Sequence, residues 1–169
     1  MGKKSKILYW SCLVVNVVCF VLDLLPFSIS FSFFRFSFAV TLMLMGILLL
    51  IRAVKLKLDS SMFISIILFF MGVLNAVSYF GQVYFNLDTN QLWPYYLFAL
   101  AISSFVTGIY FKDKLQLKLF ILFLGFGLIT LVFVQHLIGL VWFIILMVLW
   151  FVAYFTFNII SKKKGGNNG

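Results

Sequence analysis

Four aspartates, one histidine and two cysteines are the side chains of this 169-residue chain that could act as acid, base, nucleophile or metal ligand; glutamate is absent. Acid–base and metal chemistry need at least two such groups converging on one point, so their spacing decides what they can do. Asp59 and Asp113 stand among lysines in polar connections and read as local charge balance. Asp88 lies in the stretch NLDTNQ, where aspartate is ordinary turn chemistry. Cys12 and Cys19 share one apolar run. On a helix their spacing is about 10 Å of rise, too far for a disulfide, and CxxC and zinc-type spacings are absent. His136 is a lone histidine in a short connection. Nothing forces two of these groups together. The expectation is a chain with no catalytic residue, no cofactor and no metal, and not an enzyme.

The elements that must carry these residues follow from composition. The chain is 64% hydrophobic and 10% charged, against about 45–50% and about 25% for a soluble domain. That surplus predicts an all-α integral membrane protein and leaves no room for a separate soluble domain. Phe34 to Lys57 sets the ruler. Its arginines, Arg35 and Arg52, enclose an uncharged run of roughly 25 Å as helix, close to the hydrocarbon thickness of about 30 Å. Six transmembrane spans are predicted in this way, over residues 7–26, 34–51, 62–85, 92–111, 119–134 and 138–160. A basic arm, 1–6, precedes them and a polar tail, 161–169, follows. The first span can also be read as a signal peptide, with the small residues at 28–30 as its cleavage site.

Charge orients the spans. Lys3, Lys4 and Lys6; Arg52, Lys55 and Lys57; Lys112, Lys114 and Lys118; and Lys162, Lys163 and Lys164 fall on one side, leaving Arg35 alone on the other. By the positive-inside rule both termini are cytoplasmic, N-in and C-in. The basic clusters are a topology signal and not a nucleic-acid surface. The partner they imply is a bilayer with an anionic inner leaflet. A bacterial cytoplasmic membrane is expected, with a eukaryotic endomembrane as the alternative.

The six spans read as three consecutive hairpins of about 50 residues. MGILLLIRAVKLK ends the first and TGIYFKDKLQLK the second, so that Gly46-Ile47 and Gly108-Ile109 hold matching places before a basic run. With Pro26 twenty residues before Gly46, this layout resembles the HdeD-like family of small six-span bacterial membrane proteins. The second hairpin departs from that pattern, since Pro94 opens its second helix. The resemblance implies a stress- or acid-associated membrane role without known chemistry.

Polar residues inside spans are the remaining functional signal. Asp23 and Arg35 flank the first connection and are expected to pair at the outer interface. Asn75, Ser78 and Gln82 form one stripe on the third span; with Asn16 they either line a cavity for a small neutral ligand or serve helix packing. Gly72 and Ala76 on the third span, and Ala101, Ser104 and Gly108 on the fourth, are expected to be helix-packing stripes. Gly125-Phe126-Gly127 reads as a close-packing or bending site. The functional expectation is a non-enzymatic accessory, stress-related or partner-binding membrane protein, meeting another membrane protein or itself. The alternatives are a small-molecule-binding transport subunit of the six-span substrate-binding type and a lipid-active membrane enzyme.

Overall fold

The computed structural model describes residues 3–24, 32–86 and 89–165. Among these there are six α-helices and no strand. The helices are α1 (Lys3–Leu24), α2 (Phe33–Leu56), α3 (Asp59–Phe85), α4 (Trp93–Phe111), α5 (Lys114–Val134) and α6 (Leu140–Gly165), with a short 3₁₀ turn, Thr89–Leu92, before α4. Helices α2 to α6 are long and apolar enough to cross a membrane, whereas the apolar stretch of α1 is the shorter Trp10–Leu24. Pro26, on which part of the family resemblance stands, and Asp88 lie outside the described residues. The chain divides into two compact units, Met1–Leu92 and Trp93–Gly169, so the expected second hairpin is split between them.

The helices run further into the basic connections than the apolar runs do. Basic residues are good helix formers, and cations suit a helix C-terminus. Helix α2 therefore continues past Ile51 to Leu56 and stops at Lys57, whose backbone is left-handed (φ 51°). There the Leu58 N–H returns to the Ala53 carbonyl at 3.0 Å. Asp59 opens α3, where an acid suits the helix N-terminus. Helix α4 stops in the same way at Lys112 (φ 55°), with the Asp113 N–H on the Gly108 carbonyl at 2.9 Å. Asp113 then caps α5 by accepting the Leu115 N–H at 2.8 Å.

In the first unit the seam between α2 and α3 is made of buried residues seven apart, all of them small except Tyr79. Ala39, Gly46 and Ala53 are buried on α2, and Ser65, Gly72 and Tyr79 on α3. A seven-residue repeat holds one face of a helix against its partner over several turns. Gly46 and Gly72 allow the backbones to touch. A Cβ on Gly46 would stand 2.6 Å from the Phe69 nitrogen, and one on Gly72 would stand 2.7 Å from the Ala39 carbonyl oxygen. In the second unit Pro94, Ala101 and Gly108 form the same buried series on α4. Gly127 of α5 faces Phe98 there, as Gly72 faces Met43 in the first.

These contacts register the two hairpins, α2–α3 and α4–α5, by the step from Lys57 to Lys112, which is 55 residues. Gly46 then corresponds to Ala101 and Ala53 to Gly108, while Gly72 corresponds to Gly127. The two Gly-Ile pairs are not equivalent positions. Glycine and alanine serve the seam alike, so a shared Gly-Ile is a poor guide to register.

Helices α1 and α6 pack more loosely. Helix α6 is fixed to α5 by Trp150, which donates its indole N–H to the Leu122 carbonyl at 3.2 Å. The Trp150 ring lies over Gly125, where an added Cβ would come within 2.1 Å of it. The Gly125/Gly127 pair thus packs against two different helices.

Candidate functional site

The polar residues of the first unit gather in three places. The first is the α1–α2 seam. Asn16 donates to the Thr41 hydroxyl at 2.7 Å and to the Cys12 carbonyl at 2.8 Å, and it accepts from the Ser37 hydroxyl at 3.0 Å. Three of the four hydrogen-bonding positions of an amide are filled, so Asn16 is a packing residue that ties α1 to α2. It does not join Asn75 and Gln82, as the cavity reading had grouped it. Ser37 and Thr41 went unnoticed in the sequence, although their spacing of four on one helix was the available signal.

The second place is the N-terminus of α2. The Asp23 carboxylate accepts from the Ser32 hydroxyl at 2.6 Å, the Phe33 N–H at 2.8 Å and the Phe34 N–H at 3.1 Å. Ser32 is the N-cap, its hydroxyl accepting the Arg35 N–H at 3.3 Å. The first turn of a helix has unpaired donors and a partial positive charge, and a carboxylate brought to it meets both. This corrects the expected direct Asp23–Arg35 pair: among the described residues Asp23 is held by the helix terminus and Arg35 donates to Gln82, although the Arg35 charge still acts on the Asp23 carboxylate. The Ser32 N–H also donates to the Tyr79 hydroxyl, which fastens the start of α2 to α3.

The third place is a cleft between α2 and α3, at the end of the pair away from Lys57. Its volume is about 320 Å³, and Arg35, Asn75, Ser78, Tyr79 and Gln82 line it with Phe34 and Phe38. The Arg35 guanidinium donates to Gln82 Oε1 at 3.0 Å. Asn75 donates to the Met71 carbonyl at 2.7 Å. A guanidinium carries five N–H donors; among the described residues one of them is used, on Gln82, which leaves Arg35 donors for a ligand. The stripe Asn75, Ser78 and Gln82 is therefore brought together as its spacing implied, with Arg35 added as a cation.

The groove on the α1 side of α2 is larger and apolar, about 640 Å³, and Phe34 and Phe38 line it as well as the polar cleft. Cys12 lies along this groove, and both it and Cys19 are half-buried free thiols.

The other acids and the histidine have local backbone roles. Asp59 accepts the Ser60 N–H at 2.6 Å. His136 stands in the left-handed region (φ 56°) just after α5, with its N–H on the Phe133 carbonyl at 2.9 Å. Of the expected packing stripes, Gly72, Ala101, Ser104 and Gly108 are buried, while Ala76 is only half-buried. Ser104 and Thr107 are fully buried on α4 with no hydrogen-bond partner for their hydroxyls among the described residues. Ser104 thus makes no interhelical hydrogen bond there and fills space as a small residue.

No family model matches the chain, and no curated protein or solved structure matches it. The site has to be read from its own chemistry.

Proposed function

We propose that this chain is a six-span membrane protein with both termini in the cytoplasm, and that it works without chemistry of its own by holding a small polar ligand in the α2–α3 cleft. The observation that carries the reading is the convergence of Arg35, Asn75, Ser78 and Gln82 on one cleft of about 320 Å³. Among groups that can lie at the edge of a membrane, an arginine beside two amides and a hydroxyl is a donor-rich set suited to a polar or anionic group. With Lys57 on the cytoplasmic side, the cleft opens near the outer interface. The non-enzymatic part is supported by the occupations of Asp23, Asp59 and Asp113, each engaged with a nearby backbone N–H.

A second reading, a partner-binding accessory protein, is favoured by one observation. None of the Leu140–Ile159 stretch of α6 is buried, a contiguous apolar face of the kind that lipid or another membrane helix covers. The small-residue seams offer that reading nothing, since they are filled within each unit.

The test is to purify the full chain in mild detergent and identify retained small molecules by mass spectrometry, with Arg35→Gln alongside. A species retained by the wild type and lost in the variant is expected. A preparation holding only a stoichiometric second protein, unaffected by Arg35→Gln, would favour the accessory reading.

A further inference from the structure

We propose that the occupant of the cleft is a glycerophospholipid, with its phosphate on Arg35 and an acyl chain in the α1–α2 groove. This rests on the binding role given to the cleft above and names the ligand for it. Phe34 and Phe38 line both the polar cleft and the apolar groove. These two rings are the shared wall, so an amphiphile with its polar end in the cleft and its chain in the groove would lie across them, where Phe20 meets Phe34 edge-on at 5.5 Å.

The groove's length fits one leaflet. It extends along α2 from Phe34 to Met45 and along α1 from Phe20 to Trp10. Either span is roughly 15 Å of helix, and half of a hydrocarbon core is about 15 Å. The groove wall is chemically plain: Leu13, Val17, Phe20 and Phe38 give it its apolar surface. The amide of Asn16 is already bonded to Thr41 and Ser37 and does not demand a polar partner there.

The headgroup end fits a phosphate. Arginine forms paired, charge-assisted bonds to phosphate oxygens, and Arg35 has donors to spare. Asp23 is the acid nearest in sequence. Its carboxylate is occupied by Ser32 and the start of α2, and Arg35 makes its side-chain hydrogen bond to Gln82 instead. Ser78 and the Asn75 and Gln82 side chains line the same space, next to where the glycerol oxygens would lie.

The experiment uses the full chain in detergent and counts bound lipid by native mass spectrometry. Three probes separate the parts of the ligand: phosphatidylglycerol, diacylglycerol (chains without phosphate) and glycerol 3-phosphate (phosphate without chains). One phosphatidylglycerol per chain should be retained about tenfold or more tightly than either fragment. Arg35→Gln should cut that retention by about tenfold. Leu13→Trp, at a groove position that is 54% exposed and so tolerant of a larger ring, should cut it as well. Circular dichroism confirms that both variants stay folded.

Diacylglycerol bound as tightly as phosphatidylglycerol would overturn the phosphate assignment. Glycerol 3-phosphate bound as tightly as the lipid, or binding that is lost in Arg35→Gln but untouched by Leu13→Trp, would overturn the acyl groove while leaving a polar-ligand cleft standing. Retention unchanged in Arg35→Gln would overturn the proposal and the cleft's binding role together.

Discussion

The hairpins α2–α3 and α4–α5 share a register and differ at one end. Both close on a left-handed lysine, Lys57 and Lys112. Both carry small buried residues every seven positions on the first helix, Ala39, Gly46 and Ala53 in one and Pro94, Ala101 and Gly108 in the other. Away from the lysine turn they part. One step of 55 residues on from Asn75, Ser78 and Gln82 stand Thr130, Phe133 and Leu137. Thr130 donates its hydroxyl back to its own helix, at 2.8 Å from the Phe126 carbonyl, and Leu137 is 73% exposed. The second hairpin packs through the same series of positions without the polar stripe, so the stripe is not what holds such a pair together. The small-residue seam does the packing, which leaves Arg35, Asn75, Ser78 and Gln82 available for binding.

The largest effect is expected at the seams, where the two hairpins differ in tightness. A Cβ on Gly72 would meet the Ala39 carbonyl and Met43 nitrogen at 2.7 Å, and backbone cannot step aside; a Cβ on Gly127 would meet the Phe98 ring at 3.2 Å. Gly72→Val should therefore destabilise the protein by about 3 kcal/mol or more. Gly127→Ala should stay within about 1 kcal/mol of wild type, because the ring can yield and alanine is the better helix former. Denaturant unfolding followed by circular dichroism measures both. Equal losses at the two glycines would break the distinction.

Next in size is the staple at the start of α2, for which no described residue of the second hairpin stands as a counterpart. Asp23→Ala removes the acceptor of three hydrogen bonds and should cost about 1–2 kcal/mol. Arg35→Ala should cost far less, since its hydrogen bond to Gln82 lies on an exposed edge. Were Asp23 and Arg35 held chiefly by each other, the two losses would match and a double variant would cost no more than either single one.

These expectations show how far the sequence could be read. Long apolar runs bounded by charges mark the helices, because a membrane leaves the backbone few other choices. Their ends are less legible, since lysine and arginine continue a helix as readily as they end one, and α2 runs on to Leu56. Opposite charges near one loop suggest that Asp23 meets Arg35, but Ser32, whose place before an apolar run marks a helix start, opens α2 there, and the free N–H groups of that first turn took the carboxylate. The stripe Asn75, Ser78 and Gln82 lies on one helix, where periodicity places side chains reliably. Grouping Asn16 with it required knowing which way α1 faces, which apolar periodicity does not encode in a helix that is apolar nearly all round.

A smaller effect is expected at the helix ends. Lys57 and Lys112 close their hairpins in left-handed backbone, and so does His136 after α5. A side chain pays a steric penalty there that glycine escapes. His136→Gly should stabilise the protein by about 1 kcal/mol or less and leave ligand retention unchanged. A loss of retention would give the histidine a part in binding that its backbone role does not suggest.

The smallest effect on folding belongs to the variant that tests the comparison most directly. Asn75→Thr with Gln82→Leu writes the second hairpin's residues into the first. Among the described residues Asn75 donates within its own helix, to the Met71 carbonyl, and threonine can satisfy itself in the same way, as Thr130 does. Gln82 is exposed, and the guanidinium it releases stays at a surface where other partners can reach it. Unfolding free energy should therefore change by no more than about 0.5 kcal/mol, while retention of phosphatidylglycerol falls by about tenfold. If the double variant instead unfolds as readily as Gly72→Val, the stripe is part of the packing and the two hairpins are not one scaffold with a binding end added. If it folds and binds as before, Arg35 acts without its neighbours and the cleft's specificity lies elsewhere.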